Sequence, residues 1–284
     1  VAVIHAGVAW GFSFYLVVNI IDVLYGMIPD FHFLPNHFVG HAYRLFVDIF
    51  TLLVLFGVLY FLVRRFLSKS EKLNINEPVL ISERVKKGIK LDSILVGTFI
   101  ILHVGFRFVG ASAEIALNGN DWFQPGATVL ATLWSGLGQE NVVFLEHLSW
   151  WISLGLILAF FPYFPYSKHA HLFMGPLNYM ASVDRRSPVT LEIMDLEDEN
   201  VEQFGAGKIE HLPQKEILDA YACIMCNRCQ DVCPAYQTGK ELSPAALEIN
   251  KRYYLNDNLK DFSKGSSSLE SLSKWMLSEE AAWS

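Results

Sequence analysis

A chain of 284 residues has room for two domains, and 52% hydrophobic residues with a mean hydropathy of +0.30 is more than a water-soluble protein usually carries. Only ten of the 22 Lys and Arg precede residue 167, and the net charge of −7 resides mostly in the polar C-terminal third, which gives a nucleic-acid partner no support. All four cysteines fall between residues 223 and 233, which excludes a disulfide scaffold with bridges spread along the chain.

Four apolar stretches, at residues 2–26, 41–63, 91–112 and 143–166, approach or exceed the roughly 20 helical residues that cross a hydrocarbon layer. Buried helices of a soluble core are the bland alternative, but four such runs would need a larger protein around them. The loop between the second and third carries Arg64, Arg65, Lys69, Lys72, Arg84, Lys86, Lys87 and Lys90, whereas residues 27–40 and 113–142 hold no Lys or Arg. The positive-inside rule therefore puts the 64–90 loop in the cytoplasm, together with the N-terminus and everything after about residue 167. The expected location is the cytoplasmic (inner) membrane. The chain opens on Val1 rather than Met, which leaves room for residues upstream.

The outer loop "GATVLATLWSGLG", with Trp122 and Trp134 nearby, reads as a short interfacial helix. Residues 184–215 are charged and mixed, a linker or small substructure. "PQKEILDAYACIMC" predicts a helix leading into the cysteines, and the end of the chain a Ser-rich linker followed by a weakly amphipathic helix. The expected fold class is all-α: a four-span transmembrane bundle at residues 1–175, a cytoplasmic linker at 176–215, a small ferredoxin-like [4Fe–4S] helical domain at 216–256, and the linker and helix at 257–284.

Cys223, Cys226, Cys229 and Cys233, followed by Pro234, form the C-x₂-C-x₂-C-x₃-C-P run of bacterial ferredoxins. Soft thiolates suit iron–sulfur clusters, and x₂ spacing lets one turning segment present three sulfurs to neighbouring corners of a cubane. A zinc site is the alternative, but zinc knuckles usually pair two separated C-x₂-C halves. Because the last cysteine of such a run serves the other cluster in two-cluster ferredoxins, Cys233 either completes this cluster or reaches a second one. The remaining ligands of that second cluster would come from a partner subunit or from further sequence.

Ionisable groups inside a membrane are functional by default, and two facing helices can each supply an axial haem histidine. His5 matches His169 and His171 in depth at the cytoplasmic side, and His41 matches His147 at the outer side. His103 falls near the midplane without a partner at its depth, so it is a ligand or a hydrogen-bonded packing residue. His32, His37 and His211 read as loop residues. Arg44 and Arg107 are candidates for haem propionates, with Asp48 one turn on as the plain alternative partner of Arg44. Asp22 reads as a relay for quinol protons or as a group reaching interfacial water. Trp150, Trp151, Phe160, Phe161, Tyr163 and Phe164 are candidates to flank a quinone ring, or to pack and face lipid.

The segments "HAGVAWGF", "YFPYSKHAHLFMGPLN" and "FGAGKIEHLPQKEILDAYACIMCNRCQDVCPAYQTGKELSP" resemble membrane-bound heterodisulfide-reductase-related Fe–S oxidoreductases. Their membrane part is similar to the cytochrome b (gamma) subunit of respiratory nitrate reductase, and the resemblance covers nearly all of residues 1–255. It implies a membrane domain with one or two haems b that exchanges electrons with a quinone pool and is wired to cytoplasmic clusters. It also implies that His5 and His171 bind the haem nearest those clusters. Tyr15 and Ser153 stand where the gamma-type pattern has its second histidine pair, so a second haem is absent or uses other ligands such as His147. The cysteine-rich domains that follow in the relatives are not in this chain. The expected function is a membrane electron-transfer subunit linking quinone, haem b and a [4Fe–4S] cluster to a cytoplasmic redox partner, which could supply a second cluster. The alternative is a haem-free anchor whose cluster docks a soluble dehydrogenase.

Overall fold

In a computed structural model, every regular element among the described residues is helical; those residues are 1–29, 31, 37–68, 70–181, 197, 205–265 and 270–284. The chain divides into two compact units, one formed by residues 1–68 and 93–163 and the other by residues 69–92 and 164–284.

The first unit holds α1 (Ala2–Met27), α2 (Phe38–Leu62, prolonged by a π turn to Leu67), most of α3 (Glu83–Asn118), the short α4 (Pro125–Ala131) and α5 (Gln139–Phe160). Helices α1, α2, α3 and α5 are each long and apolar enough to cross a membrane. They leave Trp10, Phe56, Trp151 and Leu158 between 64% and 72% exposed, a display of apolar surface that water would not tolerate. Lipid supplies no hydrophobic drive between helices, so association rests on close packing and polar contacts. Glycines provide the approach. A Cβ on Gly57 would stand 2.3 Å from the Val8 side chain, and one on Gly26 would stand 2.1 Å from the Trp150 indole.

The polar contacts correct several expectations. Arg107 Nε and Nη2 donate to the two carboxylate oxygens of Asp22 at 2.6 and 3.1 Å, which occupies both candidates for haem or proton chemistry with each other. Arg44 pairs with Asp121 at 2.8 Å rather than with Asp48. The Asp48 carboxylate, 2% exposed, instead accepts the N–H groups of Gly126 and Ala127 at 2.7 and 2.9 Å. A carboxylate there satisfies the orphan donors of α4 and complements its dipole, which secures the outer-loop helix. Helix α5 stops at Phe160, short of the expected end, because Pro162 and Pro165 cannot continue it.

The second unit contains the start of α3, then α6 (His171–Met180), α7 (Gln214–Ala222), α8 (Arg228–Asp231), α9 (Pro234–Gln237), α10 (Pro244–Ser263), α11 (Leu272–Trp275) and α12 (Glu279–Ala282). Helix α10 is its axis: Ser243 caps it by accepting the N–H of Ala246, Pro244 takes the first-turn position, and Ala245, Ala246, Ile249 and Leu255 are buried. One face packs with Ile209, Ala220, Leu272 and Met276, and another with Ile81, Val85, Ile89 and Met225. That second contact explains why α3 begins at Glu83 although its first turns are charged: Val85 and Ile89 gain burial that hydropathy does not register. The expected C-terminal helix is two single turns, since Ser278 caps a fresh start at α12. The expected linker at 184–215 lies largely outside the described residues.

Asp22→Asn should leave Arg107 uncompensated and cost roughly 3 kcal/mol, the usual penalty for a half-removed buried pair. Thermal unfolding in detergent should show this loss, with the Asp22→Asn/Arg107→Gln double variant recovering part of it. A double-variant loss equal to the sum of the losses in Asp22→Asn and Arg107→Gln alone would show that the pair carries no coupling.

Candidate metal centre

Helix α7 delivers Cys223 at its end, in extended backbone. The chain then curls through two left-handed residues, Met225 (φ 55°) and Asn227 (φ 59°), before α8 carries Cys229. Left-handed backbone is disfavoured by a Cβ, and Asn bears it better than most residues. Cys233 precedes Pro234, the first residue of α9, so the proline both ends the cage and starts the next helix. The expected ligand segment is therefore a tight loop threaded through the three short helices α7, α8 and α9.

Hydrogen-bond donors face the sulfurs. Met225 N–H donates to Cys223 Sγ at 3.4 Å, and Arg228 Nε to Cys226 Sγ at 3.2 Å. Such bonds favour the thiolate, the form that ligates. Burial pushes the Cys223 thiol up to about 11, with Cys226 and Cys229 near enough to add to the shift. Loading such a site releases protons and is favoured as pH rises. Among the described residues, no three His, Cys, Asp or Glu donors converge on one metal ion. Ligands of a single zinc would stand about 3.8 Å apart on bonds of ~2.3 Å, whereas the thiolates of a cubane each bind a separate iron. Donor type, spacing and sulfur hydrogen bonds fit a cubane held by Cys223, Cys226, Cys229 and Cys233.

A polar brace holds the curl from behind. Gln230, 1% exposed, donates to Asn74 O at 2.8 Å and accepts from the α10 cap Ser243 at 2.9 Å. Tyr236 OH accepts from Asn76 N–H at 3.0 Å. Ile75 packs on the apolar cluster of Met225 and Ile249 that also borders Cys223, and on the cluster of Tyr236 and Ala246 that also borders Cys233. The segment 74–92, basic and unremarkable in sequence, is thus a wall of the cysteine site. No sequence signal identified it, because its contacts come from residues 156 and 160 positions away. Cys229 and the neighbouring Val232, 79% exposed, form the open edge of the cage.

The histidines occupy several environments. His171 Nδ1 lies 2.7 Å from the Lys168 carbonyl oxygen, the arrangement that turns Nε2 toward a metal. His169 beside it is buried and pushed down to about 3 by that burial, with His171 and Lys168 adding to the effect, so it is neutral at physiological pH. His5, in the first unit, meets the edge of Phe61 at 6.2 Å. His41 stacks on Phe123 at 4.1 Å and lies 2.8 Å from Arg44, while the exposed His147 faces the Val143 carbonyl of its own helix at 2.8 Å. His103, 2% exposed, lies with Nδ1 3.1 Å from the Ser153 carbonyl oxygen, and its buried Nε2 has no hydrogen-bond partner. Tyr15 approaches the same ring at 6.4 Å, so both residues at the altered haem positions of the resemblance adjoin His103. His211 Nδ1 accepts the N–H of Gly207 at 3.2 Å, a loop role as expected, and His32 lies outside the described residues. Trp150 rests on Gly26 and donates to the Asp22 carbonyl at 3.3 Å; Phe160 stacks on Phe99 at 4.0 Å. Both make packing contacts.

The chain is 35% identical to the probable iron-sulfur-binding oxidoreductase FadF of Bacillus subtilis (strain 168) over 219 residues, covering 76% of this chain and 29% of that protein. It is 27% identical to the EtfAB:quinone oxidoreductase of Syntrophomonas wolfei subsp. wolfei over 285 aligned positions, covering 98% of this chain and 38% of that protein. The chain therefore spans between 29% and 38% of the length of these curated relatives. No family profile and no solved structure matches it.

Asn227→Val puts a β-branched residue at φ 59° and should cost about 1–2 kcal/mol of local stability, lowering iron bound per chain. Asn227→Gly, free of the Cβ penalty, should retain iron; iron and sulfide analysis of anaerobically purified protein reads both. Equal iron in both variants would show that the curl does not depend on this residue.

Proposed function

We propose that this chain is the membrane electron-transfer part of a quinone-linked Fe–S oxidoreductase. The observation that carries the reading is the left-handed cysteine loop with N–H donors aimed at its sulfurs, on a chain that also holds four helices fit to span a membrane. Similarity to an iron-sulfur-binding oxidoreductase and to a quinone oxidoreductase supports it. Placement in the cytoplasmic membrane, with the cysteine loop inside, is supported by the positive-inside rule. The basic 69–92 segment belongs to the same compact unit as the cysteines.

Cys223, Cys226, Cys229 and Cys233 would hold the [4Fe–4S] cluster, which when bound supplies a one-electron carrier. Met225 N–H and Arg228 Nε offset the charge that the ligand sulfurs carry. Gln230, Tyr236 and Ile75 keep water from the inner wall, and the open edge at Cys229 and Val232 is where a soluble redox partner approaches. His5 and His171 are the proposed ligands of haem b, which when bound carries single electrons to and from the quinone side. The Nδ1 contact of His171 with Lys168 O fixes its ring for that task. Whether the chain serves one haem or two turns on His41, His103, His147 and His169, and a haem-free anchor is the reading that remains if none binds.

A reduced-minus-oxidised optical spectrum, with haem and iron quantified per chain, tests this. About four non-haem irons and one b-type haem are expected, with the haem signal lost in His171→Ala and kept in His147→Ala. Iron without haem would leave the anchor reading, and absence of iron would overturn the proposal.

A further inference from the structure

Arg252 is 1% exposed, the largest side chain so completely enclosed among the described residues. Burying a guanidinium is costly unless its charge is met. Here Nη1 donates to the Cys223 carbonyl at 3.3 Å, Nη2 donates to the Ser167 carbonyl, and the guanidinium covers the Tyr221 ring at 5.4 Å. Nε is buried without a hydrogen-bond partner. None of the ion pairs among the described residues involves it. Asp92 acts on it without reaching ion-pair distance, and the adjacent Lys251 differs in being matched by Glu248 at 3.0 Å. This buried cation, hydrogen-bonded to the carbonyl of a ligand cysteine, has only neutral groups in contact, and no carboxylate at ion-pair distance supplies its counter-anion.

A cubane on four thiolates provides one. Its net charge is negative and becomes more so by one unit on reduction, so a fixed cation in a low-dielectric wall favours the reduced state. We propose that Arg252 is the built-in countercharge of the [4Fe–4S] cluster and sets its reduction potential. This deepens the cluster reading and rests on it. Arg252 is a positioning and tuning residue here, since it touches the Cys223 carbonyl and not the reacting atoms.

The test uses the full chain, purified anaerobically, with iron and sulfide analysis and an EPR-monitored redox titration of wild type, Arg252→Gln and Arg252→Lys. With iron retained, Arg252→Gln should shift the one-electron reduction equilibrium at least tenfold toward the oxidised form, a midpoint lower by ~59 mV, and Arg252→Lys should stay within about threefold of wild type, half a decade on the same scale. A wild-type midpoint in Arg252→Gln, or an equal fall in both variants, overturns the proposal. Should Arg252→Gln fail to hold iron, Arg252→Lys decides: loading with a near-wild-type midpoint supports the charge, and failure of both shows a peg for the two carbonyls instead. Absence of iron in the wild type would sink the cluster reading itself, a result separate from any of these.

Discussion

Charge removed from water has to be met inside the protein, and hydrocarbon offers nothing to meet it. Much of the described structure follows from that constraint. In the first unit, with its four helices fit to span a membrane, Asp22 and Arg107 answer each other, and Asp48 answers the free N–H groups of α4. Each of these contacts joins elements that lipid has no reason to hold together. The apolar contacts around them then need only close fit, which Gly26 and Gly57 allow. In the second unit the same constraint takes another form: Lys251 has a carboxylate, and Arg252 has carbonyls and a ring.

The cysteine loop belongs to this logic. Four thiols and two left-handed residues make a poor structure in isolation, and Met225 in particular bears a conformation that most side chains avoid. The loop persists because its surroundings over-determine it. Gln230 and Tyr236 tie it to residues 74–76, Ser243 ties it to the cap of α10, and Ile81, Val85, Ile89 and Ile249 close over Met225. Rigid walls on one side and exposed Cys229 and Val232 on the other suit a group that must be shielded yet reachable. In function, electron transfer needs that combination: little reorganisation around the carrier, and an edge where a partner comes close.

The number of long apolar helices and the position of the cysteine loop were legible from the residues because each depends on local composition. Twenty apolar residues in a row mean a span wherever the chain goes, and C-x₂-C-x₂-C-x₃-C-P crowds its thiols by spacing alone. The prolines at 162 and 165 are an equally local signal, and they end α5 before the apolar run does. Partners were not legible. Arg44 chose Asp121 over the nearer Asp48, and Arg107 found Asp22 on another helix, since an ion pair depends on which faces meet and not on distance along the chain.

The amino-acid sequence by itself determined four apolar helices, one cysteine cage and the uneven distribution of positive charge, because hydropathy, spacing and charge are sums over neighbouring residues. Tertiary structure alone decided that residues 74–92 wall the cage, that Asp48 caps α4, and that Arg252 is buried behind Cys223 with no carboxylate at ion-pair distance. Those outcomes depend on burial shared between distant segments, and burial is a property of the folded chain.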